Sequence, residues 1–351
     1  NGLGISYGLA GLLFPAQSIG SLIALFLTGF MLHRFGKRKP LAAGAVVFIA
    51  SLLAAAFSEG FLFLAVGMFL IGAGVGFFDA GINTICIDAH PEGKGKALNR
   101  LHFFFGAGAV VGPLISYAVE KLAADWRGVF AFCILGPAVF LLVLLATPLP
   151  PTPPAEPTRR FAVLRRPLLW FAALTLCFYC GVEWGVGAWF PSYWTATTLA
   201  AVIPPAFATS LFWLTFTVGR WFAGTQADRL GFRTFLGLSF AVTLILVVLW
   251  FVLRNPLFIL PIVLVLGFTI AGQYPTVVAL ASHKFPASSG QVASLLSVFA
   301  VAGSSLFPSA IGFWADAAGI GALTGAELIL TAGMIVFGLL AFGADRKQKA
   351  L

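Results

Sequence analysis

One ten-residue stretch of this chain recurs in a related form, with its glycines and arginines at the same positions, and this repeat decides the fold. Residues 29–38 read Gly-Phe-Met-Leu-His-Arg-Phe-Gly-Lys-Arg, and residues 224–233 read Gly-Thr-Gln-Ala-Asp-Arg-Leu-Gly-Phe-Arg, 195 positions later. Further landmarks share this offset: Gly72 with Gly267, Gly108 with Gly303, and Pro113 with Pro308. Independent landmarks at a single offset indicate a chain built from two repeated halves.

The composition places both halves in a membrane. Hydrophobic residues make up 60% of the 351 residues and charged residues only 9%, whereas soluble domains carry roughly a quarter charged residues. The net charge of +9 does not indicate nucleic-acid binding, because Lys and Arg occur in short clusters between long apolar runs. Such clusters are typical of the cytoplasmic loops of membrane proteins.

A transmembrane helix needs about 20 predominantly apolar residues, and this rule predicts eleven spans. They cover residues 8–32, 40–57, 61–86, 101–119, 128–147, 167–194, 204–225, 234–253, 256–281, 290–315 and 322–343. The span 167–194 opens the second half, and its first-half counterpart would precede residue 1. We therefore expect an all-α polytopic protein of two pseudo-symmetric six-helix bundles, with 11 of 12 helices present and the first helix lacking.

Charge and proline content predict the domain boundaries and the orientation. Residues 1–147 form the N-terminal bundle, 167–351 the C-terminal bundle, and the proline-rich segment 148–166 a cytoplasmic linker. With the loop at 33–39 in the cytoplasm, seventeen of the 21 Lys and Arg residues fall on the cytoplasmic side. We expect a multi-pass protein of the lipid bilayer of a cell membrane, most naturally a bacterial inner membrane.

The duplicated stretch resembles the signature loop of the major facilitator superfamily. The residues that carry the resemblance, and that we expect to shape the loop and its gating, are Gly29, Arg34, Gly36 and Arg38 in the first copy and Gly224, Asp228, Arg229, Gly231 and Arg233 in the second. The first copy departs from the pattern with His33 in place of the acid. In the second copy we expect the acid to cap a helix or to pair across the bundle interface.

Three segments are similar to the fucose–galactose–glucose:proton symporter family. They are Gly76-Phe-Phe-Asp-Ala-Gly-Ile-Asn83, Leu98-Asn-Arg-Leu-His-Phe-Phe-Phe-Gly-Ala-Gly108 and Tyr179-Cys-Gly-Val-Glu-Trp-Gly-Val-Gly-Ala-Trp189. Membership of that family implies proton-coupled uptake of a neutral sugar, with the coupling carboxylate at Asp79. An acid of the first helix, also important in that family, would lie in the missing segment.

Two acids within apolar spans are the main candidate functional residues. A central acid costs roughly 2.5–3.5 kcal/mol on insertion scales, so such residues face a cavity or a partner. Asp79 is a candidate proton acceptor, the alternative being a structural pair with Arg220. Glu183 is a candidate for coupling or substrate binding, the alternative being a gate or ion pair. Asn83, one turn from Asp79, could bind sugar hydroxyls or make an ordinary interhelical contact.

Several polar and aromatic side chains are further candidates for substrate binding. Gln273 and Tyr274 interrupt the ninth span together with Pro275, which would free a backbone carbonyl; the offset pairs Tyr274 with Asp79. Aromatic faces stack on sugar rings, so the candidates include Trp184, Trp189 and His102. For the aromatic residues and His102, simple packing or a position at the membrane interface is the favoured interpretation. For Arg220 we expect a structural salt bridge with the second loop.

No enzyme site, metal site or cofactor-binding motif is predicted, because the sequence lacks a Walker loop, His/Cys metal spacing and a nucleophile elbow. We therefore expect a non-enzymatic, monomeric secondary transporter that moves a small solute, with protons, by alternating access. The alternatives are a proton-driven exporter of amphipathic compounds, a carrier of another metabolite, or a transport-incompetent relic or sensor.

Overall fold

The fold is known from a computed structural model, which describes residues 3–90, 94–123, 125–150, 165–253, 255–285 and 289–349. Within these ranges the side chains of a few residues, including His33 and His102, are not described. The chain divides into two compact units, residues 1–157 and 158–351. That division falls inside the proposed linker 148–166, most of which lies outside the described residues.

In its described residues unit 1 consists of α-helices joined by short loops. They are α1 (Tyr7–Gly11), α2 (Leu13–Phe35), α3 (Arg38–Ala56), α4 (Phe61–Ala89), α5 (Lys94–Ala123), α6 (Arg127–Cys133) and α7 (Leu135–Ala146). Helix α4 is central, since it packs along α2 and α3 and also contacts α5. Helix α3 in turn carries α6 and α7 on its other side.

Unit 2 is likewise helical in its described residues. Its helices are α8 (Pro167–Thr195), a short 3₁₀ helix (Thr198–Ala201), α9 (Pro205–Leu230), α10 (Phe232–Val252), α11 (Pro256–Ile270), α12 (Gln273–Lys284), α13 (Ser289–Ala318) and α14 (Ala322–Lys349). Helix α8 is central in this unit, packed between α13 and α14 and also touching α9 and α12.

Among the described residues, ten helical segments are long and apolar enough to cross a membrane. They correspond to ten of the eleven predicted spans, so the prediction of a multi-pass α-helical membrane protein is confirmed. The eleventh predicted span corresponds to α9, which has 26 residues and is long enough to cross. It is less apolar than the others because Arg220, Gln226, Asp228 and Arg229 lie within it.

Two predicted spans are each broken into two helices just before a proline. The span 128–147 breaks at Ile134, between α6 and α7, and 256–281 breaks at Ala271 and Gly272, between α11 and α12. Proline has no N–H for the carbonyl four residues earlier. Pro137 thus frees the carbonyl of Cys133, and Pro275 that of Ala271, which explains why each break lies where it does.

The repeat seen in the sequence is also a repeat of packing. In unit 1, a Cβ at Gly72 of α4 would overlap the backbone carbonyl of Gln17 in α2; in unit 2, a Cβ at Gly267 of α11 would crowd the carbonyl of Phe212 in α9. Each residue of the unit 1 contact lies 195 positions before its counterpart in the unit 2 contact. The conserved spacing is therefore explained by the same close helix crossing, which only glycine permits at these positions.

A second pair of equivalent glycines is packed differently in the two units. Gly303 of α13 lies against the carbonyl of Cys177 in α8, and a Cβ there would overlap it. Its counterpart, Gly108 of α5, has nothing within 4 Å of the same position. Accordingly, no residue in the most apolar stretch of α5 is buried, against 44% in α13. Among the described residues of unit 1, no helix packs on α5 as α8 packs on α13.

Candidate functional site

The first candidate acid lies on α4 and is exposed in unit 1. Asn83 donates a hydrogen bond from Nδ2 to Oδ1 of Asp79 at 2.8 Å, one helical turn away. The second carboxyl oxygen of Asp79 is left available to a proton or to a donor from a solute. The two side chains thus form an acid–amide pair on one face of α4, as their spacing predicted.

The second candidate acid belongs to a buried polar cluster in unit 2. Glu183 of α8 is only 6% exposed, and Tyr179, one turn earlier, is 1% exposed. The positive charge of Arg220 in α9 acts on both side chains. The ring of Tyr274 in α12 lies 6.1 Å from that of Tyr179. Three helices therefore contribute one carboxyl group, one guanidinium cation and two phenols to a single interior region.

The proline of α12 helps to hold the cation of this cluster. Arg220 donates from Nε to the carbonyl of Ala271 at 3.4 Å, and its guanidinium lies 4.6 Å from the centre of the Phe216 ring. Ala271 is the residue whose carbonyl Pro275 leaves free. The expected salt bridge between Arg220 and the second loop is wrong: among the described residues the hydrogen bond of Arg220 goes to the buried break between α11 and α12 instead.

Two of the candidate substrate ligands are engaged in packing within unit 2. Both amide hydrogens of Gln273 are used, since Nε2 donates to Ser239 Oγ at 2.8 Å and to Thr243 Oγ1 at 2.9 Å in α10. The indole N–H of Trp189 donates to the carbonyl of Pro308 in α13 at 2.8 Å. Both side chains are almost fully buried. The arrangement favours helix-to-helix attachment over substrate binding for Gln273 and Trp189.

The other aromatic candidates differ from these two. Trp184 is half-buried on α8 and meets Trp213 of α9 edge to face, with 6.3 Å between ring centres. Its indole is thus partly open, beside the acid of the neighbouring residue Glu183. His102 lies in α5, but its side chain is outside the described residues.

The duplicated loop has the same geometry in both units. Gly36 ends α2 with φ of 72°, and Gly231 ends α9 with φ of 80°. These left-handed conformations favour glycine, which explains the repeated residue. The residue Asp228 is exposed in the last turn of α9, and Gly231 rather than Asp228 lies at the start of α10. The expectation that Asp228 caps a helix is therefore wrong.

Cations of the first loop tie together three helix ends in unit 1. Lys37, 3% exposed, binds Asp88 at the end of α4 at 2.5 Å and donates to the carbonyl of Pro150 at 2.9 Å. Arg38 donates to the carbonyl of Thr147, beyond α7, at 2.6 Å. The start of α3 is thereby attached to the ends of α4 and α7.

The second loop makes the equivalent attachment in unit 2 through a carboxylate. Arg233, at the start of α10, pairs with Asp345 near the end of α14, and Lys284, at the end of α12, pairs with Asp345 at 2.7 Å. Asp345 is the residue 195 positions after Pro150, the acceptor in unit 1. Both loops therefore join equivalent helix ends, with a carbonyl in one half and an acid in the other.

Three functional candidates of the structure were not singled out from the sequence. The pair Lys37–Asp88 is known only from the structure. For Asp345 the sequence offers one signal, the offset that aligns it with Pro150. Glu327 of α14 is fully buried within an apolar helix. Its single acidic letter in an apolar run was the signal that could have found it. Within the described ranges no group of three or more His, Cys, Asp or Glu side chains could hold a metal ion.

Comparisons with known proteins bear on this arrangement. A family model described as Major Facilitator Superfamily matches residues 1–208. The Arabinose-proton symporter of Bacillus subtilis (strain 168) is 27% identical over 148 residues, which are 40% of this chain but only 32% of that protein. The crystal structure of the nucleoside transporter NupG superposes with a TM-score of 0.75 at 13% identity, covering 97% of this chain and 91% of that one. That of FucP in the outward conformation gives 0.65 at 18% identity, covering 95% and 89%.

Proposed function

The chain belongs to the Major Facilitator Superfamily, and from that premise we propose that this transporter takes up a neutral sugar or a similar small polar solute together with protons. In transporters built from repeated halves, the substrate and the coupling ion bind near the middle of the membrane. The proposal assigns the unit 1 contribution to Asp79 and Asn83, and the unit 2 contribution to the cluster around Glu183.

The observation that carries the proposal is the acid–amide pair of α4. Asp79 lies within a membrane-spanning helix, yet it is exposed in unit 1 and its one hydrogen bond among the described residues comes from Asn83. A carboxylate so placed is costly unless it faces water, a solute or a proton. Asn83 keeps the carboxyl oriented while one oxygen stays free, which suits a group that binds and releases a proton.

The unit 2 cluster supports a neutral, hydroxyl-rich substrate. Glu183 supplies acceptor oxygens and Arg220 supplies donor N–H groups, so the cluster presents both acceptors and donors. Tyr274 adds a phenol, and the half-buried Trp184 offers an aromatic face. Hydroxyl groups bind such donors and acceptors, and the apolar face of a sugar ring stacks on an indole. The similarity of part of the chain to an arabinose-proton symporter points to the same class of solute.

Transport would follow an alternating-access cycle. Protonation of Asp79 from outside neutralises it, the solute binds, and the transporter re-orients to release both on the cytoplasmic side. The tethers of Lys37 and Asp345 would keep each half rigid at the cytoplasmic side during that motion. We propose a monomer in a cell membrane, the bacterial inner membrane where the source is bacterial, with the duplicated loops in the cytoplasm.

The test is transport by purified chain in liposomes with an imposed proton gradient, inside alkaline. A panel of labelled monosaccharides and nucleosides would identify the solute that is concentrated. Asp79→Asn should abolish concentration of that solute, while exchange of internal for external solute continues, because exchange moves no net protons. Glu59→Gln, which removes the same charge from an exposed loop, is the matched control and should leave both activities intact.

Two results would contradict the proposal. Concentrative uptake by Asp79→Asn at the control rate would remove Asp79 from coupling. Outward movement of amphipathic compounds, with no uptake of any member of the panel, would instead indicate a proton-driven exporter.

A further inference from the structure

Glu327 of α14 is an acid that the proposed transport cycle does not use. It has no exposed surface and lies on a helix that is apolar enough to cross the membrane. Neither carboxyl oxygen has a hydrogen-bond partner among the described residues, and the buried hydroxyl of Thr331, one turn later, has none there either. None of the ion pairs of the described residues involves this acid.

The carboxyl group of Glu327 occupies a gap in α8 that a glycine leaves open. A Cβ at Gly185 would fall well inside van der Waals contact of Glu327 Oε1 and would touch the side chain of Ile311 in α13. Three helices therefore enclose this carboxyl. Gly185 is the point on α8 that makes room for it, just as Gly303 makes room for the carbonyl of Cys177.

The helices packed against α14 carry few charges that could act on this acid. Their titratable and charged groups are Cys177, Tyr179, Cys180, Glu183 and Tyr193 on α8, Asp316 on α13, and Arg233 on α10. Glu183 is two residues from Gly185 and so projects from the opposite side of α8, where Arg220 acts on it. Arg233 binds Asp345, 18 residues further along α14, which is about 27 Å along a helix.

An ionised carboxylate without a partner is strongly disfavoured in such surroundings, and buried groups of this kind take up a proton instead. We infer that Glu327 is a proton-binding site: its carboxyl holds a proton while α8 and α14 are in contact, and gives that proton to water when separation of the helices at Gly185 admits water. The neutral acid can share its hydrogen with the hydroxyl of Thr331 on the same face of α14.

Proton binding and helix position are then linked. Because the closed contact accepts only the neutral acid, protons favour the arrangement in which α8 lies against α14. Helix α8 also carries Tyr179 and Glu183, on another face. The protonation of Glu327 therefore biases the position of the helix that holds part of the unit 2 cluster. This inference goes beyond the proposed transport function and does not require Asp79 to be the coupling residue.

Infrared spectroscopy of the purified full chain in lipid vesicles at neutral pH tests it without any transport assay. The carbonyl stretch of a protonated carboxyl group should be present, and Glu327→Gln should remove that component of the spectrum. Asp79→Asn, tested alongside, should retain the component. Absence of the band from the wild type, or its full survival in Glu327→Gln, would overturn the inference, whatever the outcome of the uptake assays.

A second measurement covers the case in which Glu327→Gln does not fold. Glu327→Leu lacks the carboxyl group but is of suitable size for the gap. Folding of the wild type keeps a proton on Glu327 that the unfolded chain releases at neutral pH, so wild-type stability falls as pH rises. Relative to Glu327→Leu, the wild-type unfolding constant should rise by up to about tenfold per pH unit. Parallel pH profiles for the two proteins would overturn the inference.

Discussion

Replacing Gly303 with alanine should destabilise the chain, whereas the same change at its repeat partner Gly108 should not. The added methyl group at Gly303 would overlap the carbonyl oxygen of Cys177, which is backbone and cannot rotate away. The helices α8 and α13 would have to separate. At Gly108 the new methyl group would meet nothing within 4 Å.

The size of the difference follows from the two contacts. Overpacking at a close contact costs about 1–3 kcal/mol. Alanine is a better helix former than glycine by about 1 kcal/mol, and this gain applies equally to both positions. Gly108→Ala should therefore be neutral or slightly stabilising, and Gly303→Ala should be less stable than Gly108→Ala by about 1–3 kcal/mol.

Thermal unfolding of the purified variants in one detergent, followed by tryptophan fluorescence, measures this difference. A lower midpoint for Gly303→Ala by several degrees, with Gly108→Ala near the wild type, is the expected result. Equal midpoints would refute the close α8–α13 crossing. A large loss of stability for Gly108→Ala alone would contradict the open surroundings of Gly108 on α5 described above.

Four further variants test individual side-chain contacts. Lys37→Met should cost about 3 kcal/mol by leaving Asp88 without its partner, and adding Asp88→Asn should recover much of that loss in a double-mutant cycle. Asp345→Asn should lower stability by roughly 2–3 kcal/mol in thermal unfolding, less than for a fully buried pair because its two cationic partners are partly exposed. Gln273→Leu should lower stability by about 1–3 kcal/mol while the apparent affinity for the transported solute is unchanged. Tyr274→Phe should do the reverse, weakening solute affinity with little loss of stability, and equal effects of these two variants on affinity would contradict their assignment.

Much of the fold could be predicted because membrane helices depend on length and apolar composition, which a single sequence displays. The offset of 195 predicted two halves, and the contacts of Gly72 and Gly267 give that offset a physical cause in matching helix crossings. The helix breaks were only partly foreseen. Pro275 was recognised as a disruption, but the break at Ile134 depends on Pro137, which stood within an otherwise continuous apolar run.

The site was less predictable because a helical sequence shows which residue types are present but not which neighbour each one meets. The pairing of Asp79 with Asn83 could be predicted, since residues four apart share a helix face. The bonds from Gln273 to α10, and from Arg220 to the carbonyl of Ala271, join residues that are 30 or more positions apart. The acid at Glu327 is visible in the sequence, but nothing there shows that Gly185 of α8 leaves space for its carboxyl group.

We propose that this transporter couples uptake of a neutral solute to protons, and recording the protons themselves tests that coupling without a labelled solute. Purified chain in weakly buffered liposomes, with no gradient imposed, would receive an unlabelled sugar from outside while the external pH is followed. We expect the medium to become alkaline as protons enter with the sugar, and we expect Asp79→Asn to give no change of external pH. Sugar entry without any change of pH would contradict it.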